Sequence, residues 1–305
     1  MAGQVELWIV LSFAAACFQT LRFMLQKVLS TQTLTATGAT FARFLYSAPL
    51  IVVVVAGYLG ATGQSVVVPD PAKFWVFAAS GAVAQVVATI ALVTLFKSRN
   101  FAVGVTLMKS EVILSVILGF VLLGDSLEGT AFVAILIGVA GVLLLSPAPN
   151  AIGWGWREVL NKSVGLGLGA GALFAVSAVC YRGASLEISS PDAALRAGLT
   201  LAAVTSMQMV GMWVWLVLRD SPQIASVWRA RRVAVWIGLM SLAGSFCWFF
   251  AFTLQAAALV KAVGQIELVL SLLASVLFFG ERITVRELAG MALLCGSILL
   301  LVLLG

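Results

Sequence analysis

The chain contains no histidine in 305 residues. That absence excludes Ser-His-Asp and Cys-His catalytic arrangements, histidine metal sites and imidazole proton relays. Charge is nearly as scarce: Asp, Glu, Lys and Arg together make up 10% of the chain. A soluble domain is about one quarter charged, so water is not the main solvent of this surface. Cysteine is sparse. Cys17, Cys180, Cys247 and Cys295 all lie in apolar runs with no C-x-x-C spacing, and they read as small buried hydrophobes. No P-loop is present, which removes direct coupling to ATP, and no H-E-x-x-H or G-x-S-x-G motif marks an enzyme. The sequence asks for no cofactor, no catalytic residue and no metal.

What the chain has in excess is apolar sequence. Hydrophobic residues reach 62%, with a mean hydropathy of +1.12. The apolar runs are continuous over about 20 residues, as membrane-spanning helices require and alternating barrel strands do not show. The reading is an all-α integral, multi-pass membrane protein whose first partner is the lipid bilayer, expected to be a bacterial cytoplasmic (inner) membrane. Ten spans are predicted, at 7–27, 34–58, 73–96, 101–123, 129–146, 164–184, 193–218, 230–253, 257–279 and 284–304. MAGQVELW lacks the basic region of a signal peptide, so the first apolar run is expected to stay as a span. The net charge of +6 fits membrane topology and not nucleic acid. Lys and Arg gather in the connections after odd-numbered helices, from Lys27 and Lys97 to Arg282 and Arg286. That bias places those connections in the cytoplasm and both termini outside. Trp8, Trp75, Trp154, Trp156, Trp228 and Trp236 mark the interfaces.

One stretch organises the rest. Leu107–Asp125 reads LMKSEVILSVILGFVLLGD and Val263–Glu281 reads VGQIELVLSLLASVLFFGE. Aligned without a gap, Glu111 falls on Glu267, Ser115 on Ser271, Gly124 on Gly280 and Asp125 on Glu281. The same register pairs Phe18 with Phe174, and a three-residue gap pairs Arg43 with Arg196. Pro147 and Pro149 end the fifth span, because proline cannot continue a helix. The expected units are residues 1–146, a connection at 147–163, and residues 164–305. Five helices per unit insert the second upside down, the inverted-repeat plan of many transporters.

A carboxylate inside a membrane helix is costly and marks function by default. Glu111 and Glu267 each stand about ten residues into their spans, which is about 15 Å down a core about 30 Å thick. Arg22, Arg43, Lys109 and Lys261 are the other ionisable groups away from predicted helix ends. The plainer reading of Arg22, Arg43 and Lys261 is snorkelling to the interface; for Lys109 and Glu111 it is a structural ion pair between helices. Spacing i, i+2 puts Lys109 and Glu111 on nearly opposite faces. They therefore need other partners: Arg43 for Glu111, and Lys109 or Lys261 for Glu267. Gln26, Gln85, Gln208, Gln265, Ser115 and Ser271 are candidate hydrogen-bonding neighbours. Trp248, in the run Phe246–Phe252, reads either as packing and lipid contact or as the apolar wall of a cavity. The small residues Gly165, Gly167, Gly169 and Gly171, with Ala134 and Gly138, predict close helix contacts.

The charges favour a small-molecule substrate: an amino acid, an organic anion or a similar metabolite. Desolvation favours the neutral form of a buried carboxylate, so a coupling proton is a second expected partner. Alternatives from other classes are a channel, a lipid scramblase and a non-transporting scaffold.

The Leu107-Met-Lys-Ser-Glu111 segment, its counterpart Gly264-Gln-Ile-Glu267, and the endings Gly124-Asp125 and Gly280-Glu281 resemble the drug/metabolite transporter superfamily, in its EamA branch. The resemblance covers nearly the whole chain. It implies ten helices in two inverted five-helix repeats, and a secondary carrier with a central cavity, often an exporter engaged in metabolite efflux.

Overall fold

The computed structural model describes residues 6–98, 108, 111–126, 128–145, 162–270, 273 and 285–304. Lys109, Ser271, Gly280, Glu281, Trp154, Trp156 and most of the 147–163 connection lie outside them. The described helices are α1 (Leu7–Gln32), α2 (Ala36–Thr62), α3 (Pro71–Ser98), α4 (Glu111–Leu123), α5 (Gly129–Leu145), α6 (Lys162–Leu186), α7 (Ala193–Arg219), α8 (Pro222–Arg229), α9 (Arg231–Leu254), α10 (Ala257–Val263) and α11 (Val285–Leu304). Six of them, α1, α2, α3, α6, α7 and α9, are long and apolar enough to cross a bilayer. Among the described residues the one extended pairing is a bridge between Val67 and Ser189.

Local chemistry sets the boundaries. The Thr35 hydroxyl accepts from Gly38 N at the start of α2, and the Asp192 carboxylate accepts from Ala194 and Leu195 N at the start of α7. Each satisfies amides that a helix start leaves unpaired. Asp70 does the same for Lys73 N before α3, with Pro71 in the first helical position. Gly63 and Gly124 adopt φ of 64° and 69°, the left-handed conformation that stops α2 and α4.

Two expectations change. The break at 219–232 contains its own short helix, α8, whose Gln223 carbonyl accepts from Thr35 N at 3.0 Å. The span expected to run unbroken from 257 is interrupted. Helix α10 ends at Val263, Gly264 and Gln265 form a turn, and helix resumes over 266–270. Bonds from Glu267 N to Gly264 O and from Leu268 N to Gln265 O tighten this stretch to i, i+3 spacing. The cause is a close approach. A Cβ at Gly264 would lie 2.2 Å from Trp248 Cη2, so only glycine lets the indole reach the backbone. Replacing Gly264 with alanine is expected to cost about 1–3 kcal/mol through overpacking. A shorter side chain at Trp248 in the same chain should recover part of that loss, read from thermal midpoints of the purified protein.

The packing is symmetric in the way two inverted repeats require. By the register that pairs Glu111 with Glu267, α1, α2, α3, α4 and α5 correspond to α6, α7, α9, the helix resumed over 266–270, and α11. Among the most extensive contacts are α3 with α6 and its mirror α1 with α9, and the pairs of equivalents α5 with α11 and α2 with α7; α2 also packs on α9 more extensively than its mirror α7 packs on α3. The fold is an all-α membrane fold of inverted repeats. Val53, Val76, Val83, Phe120, Val121 and Leu218 point outward, as a lipid-facing surface does. The small-residue expectation holds for Ala134 and Gly138: Ser297 Oγ of α11 donates to Ala134 O at 2.6 Å, and a Cβ at Gly138 would meet that Oγ at 2.7 Å. It does not hold for Gly165 and Gly169, where a Cβ would meet nothing within 4 Å.

Candidate functional site

A cavity opens where the halves meet, lined by α1, α2, α3, α4, α6, α9 and α10. Three cations face it, Arg22, Arg43 and Lys261, together with the carboxylate of Glu111 and the side chains of Gln19 and Gln85. Two helices supply stripes at helical spacing. α6 gives Phe174, Ser177, Ala178 and Tyr181; α9 gives Ser241, Ser245, Trp248 and Phe252.

The ionic pairing differs from expectation. Lys261 Nζ lies 3.3 Å from Glu111 Oε2, and the two side chains are 9% and 3% exposed. Arg43 is not the partner of Glu111. It is 3% exposed and held by neutral hydroxyls: Nε donates to Ser241 Oγ at 2.7 Å, Nη2 to Ser245 Oγ at 3.1 Å and Nη1 to Thr89 Oγ1 at 3.5 Å. The physical reason is the break after α10. It lets Lys261, six residues before Glu267, turn towards the other half. Lys261 also sits 4.6 Å from the centre of the Trp248 ring, a cation–π contact.

Glu267 is fully buried and is reached through Gln19. Gln19 Nε2 donates to Glu267 Oε2 at 2.9 Å, and Gln19 Oε1 accepts from Trp248 Nε1 at 3.0 Å. The amide thus joins α1 to both α9 and the resumed helix. Arg22 is 3% exposed and does not snorkel. It stands within electrostatic reach of Arg43, which repels it, and Glu267, which attracts it. Gln85 accepts from Tyr181 Oη at 3.0 Å and from Gln208 Nε2 at 2.9 Å. Trp248 is 7% exposed and forms a cavity wall.

Other candidates sit elsewhere. Ser115 turns its hydroxyl back to Glu111 O at 2.7 Å and does not line the cavity. Gln265, in the turn after α10, points at Gly138, where an added Cβ would lie 3.5 Å from its Oε1. Gln26 bonds Ala39 O. Arg196, the sequence partner of Arg43, bonds Ser185 O at the end of the bundle. Sequence reasoning missed Gln19, Tyr181, Ser241 and Ser245 as cavity groups, although Gln19 lies one turn before Arg22 and the two serines precede Trp248 on one face.

A second cluster closes one end. Gly124, in its left-handed turn, aims Asp125 at Arg182, which binds it through Nε at 3.0 Å and Nη2 at 3.1 Å while Nη1 donates to Phe252 O at 2.8 Å. Around it, Lys73 pairs with Glu187, Tyr58 Oη donates to Asp192 Oδ2 at 2.6 Å, and Ser189 N donates to Val67 O at 2.9 Å. The Tyr58 hydroxyl, then the Leu195 amide, hold the Asp192 carboxyl below its ordinary range. The Asp125–Arg182 pair, and these three links around it, each run from one half to the other.

Comparison with known proteins completes the picture. Residues 161–303 match the model of the EamA-like transporter family. The second half of the chain is thus similar to that family. EamA proteins are transporters within the drug/metabolite transporter superfamily. One crystal structure, described only as that of a protein, matches with a TM-score of 0.67 at 17% identity, over 95% of this chain and 99% of that one. It supports the fold across both halves. No curated protein matches the chain.

Proposed function

We propose that this EamA-like protein is a secondary transporter, working as an exporter of a small polar or charged metabolite by alternating access, and not an enzyme. The observation that carries the reading is the buried cavity between the halves, charged yet walled by aromatic rings. A cavity at the interface of inverted repeats can open to one side and then the other. The units 1–146 and 164–305 are the two repeats in this reading. Glu111, Lys261, Arg22, Arg43, Gln85 and Trp248 belong to the substrate site; Glu267 supports it through Gln19. Lys109, Ser115, Gln265 and Ser271 have no part assigned. A bacterial inner membrane, with termini outside, and coupling to a proton complete the proposal.

Counterflow in proteoliposomes tests it. The protein loaded with unlabelled substrate should draw in labelled substrate against its gradient, and Glu111→Gln or Glu267→Gln should slow this while the protein still folds. Wild-type rates in both variants would make the carboxylates structural. Flux beyond carrier rates without counterflow would indicate a channel.

A further inference from the structure

We infer that the cavity takes a monocarboxylate with an aromatic or otherwise apolar body, its carboxylate seated between Arg22 and Arg43. The inference names the substrate class of the transport site proposed above and rests on that reading for its purpose.

The argument begins with unmet hydrogen-bonding capacity. Arg22 lines the cavity, and its buried Nη1 has no hydrogen-bond partner among the described residues. A buried guanidinium N–H without an acceptor is costly to keep. Arg43 has partners, but the three hydroxyls holding it carry no charge. Ser241 and Ser245 accept from the guanidinium, so their own protons remain available to an anion. The two arginines repel one another. An anion between them turns that repulsion into two charge-assisted attractions.

Charge then sets the valence. Among the described residues, three cations (Arg22, Arg43 and Lys261) face two carboxylates (Glu111 and Glu267) in and around the cavity. One positive charge is left over, which suits a single negative charge. A zwitterion fits less well. Glu111 is the one carboxylate among the lining residues, and Lys261 already occupies it at 3.3 Å. The walls set the rest of the ligand. Tyr181 stacks on Phe249 with centroids 4.4 Å apart, and Trp248 on Phe252 at 5.7 Å. All four rings line the cavity, so its wall on this side is apolar and favours an apolar body.

The test uses the detergent-purified full chain and 3-phenylpropanoate as probe, followed by thermal stabilisation. Saturable stabilisation is expected, with 3-phenylpropanamide, phenethylamine and acetate each at least about 10-fold weaker. Arg22→Gln and Arg43→Gln should each weaken the acid by about 10-fold or more, and Arg43→Lys by less. Equal stabilisation by acid and amide overturns the inference, as does wild-type affinity in both glutamine variants. If those variants do not fold, the acid–amide comparison on the native protein decides. Counterflow separates the two readings. Binding of the acid without its counterflow sinks the transport reading and leaves the site. Counterflow of phenylalanine or an amine, with no binding of the acid, sinks the site and leaves the transporter.

Discussion

Replacing Lys261 with methionine is expected to destabilise the protein by about 3–5 kcal/mol, the cost of leaving a buried carboxylate without its partner. Glu111 is nearly sealed from solvent, and Lys261 Nζ at 3.3 Å is the cation beside it. Methionine matches the length of the lysine stem and keeps its contact with the Trp248 and Phe252 rings, so the loss reports charge more than volume. Replacing Glu111 with glutamine in the same chain should return most of the stability, because a neutral amide no longer needs the ammonium. The measurement is a double-mutant cycle on thermal midpoints. Additive losses in the cycle would mean that the two groups do not act on each other.

The second large effect concerns access. Asp125→Asn weakens a two-pronged pair whose side chains are only 17% and 14% exposed. A charge-assisted bond of this kind contributes about 1–3 kcal/mol to the closed arrangement, so opening at that end should rise roughly 5- to 150-fold. A cysteine placed at Ser177, in an otherwise cysteine-free chain, reports it. Membrane-impermeant thiol reagents added from the end bearing Asp125 should label it faster by that factor. Tyr58→Phe, which removes an exposed rim contact, should change the rate far less. Equal labelling in wild type and Asp125→Asn would show that the pair does not bar the way.

Much of this was legible because membrane helices announce themselves. The expected span 193–218 is met by Ala193–Arg219, and 129–146 by Gly129–Leu145. Lipid tolerates only satisfied backbones, so long apolar runs leave few alternatives. The charged groups were legible for the same reason: Arg22, Arg43, Glu111 and Lys261 meet in one cavity. Their pairing was not. Reading i, i+2 spacing settles which face a side chain leaves, but not which helix stands opposite. The interruption at Gly264 hid for a different reason: it depends on Trp248, sixteen positions earlier and on another helix. Serines Ser241 and Ser245 were hidden by ordinariness, since a hydroxyl in a membrane helix usually bonds its own backbone, as Ser115 does.

The register that pairs Glu111 with Glu267 also pairs Thr89 with Ser245, and Arg43 binds one with each side of its fork. Its guanidinium therefore sits close to the molecular pseudo-dyad, gripped by a matching hydroxyl from each module. A group on such an axis meets nearly the same surroundings when the modules exchange roles. Ser241 breaks the match, because its counterpart Gln85 is committed to Tyr181 and Gln208. The two modules are thus alike in how they hold this cation and unequal at one oxygen, so the alternating access proposed above would have two facings of unequal energy.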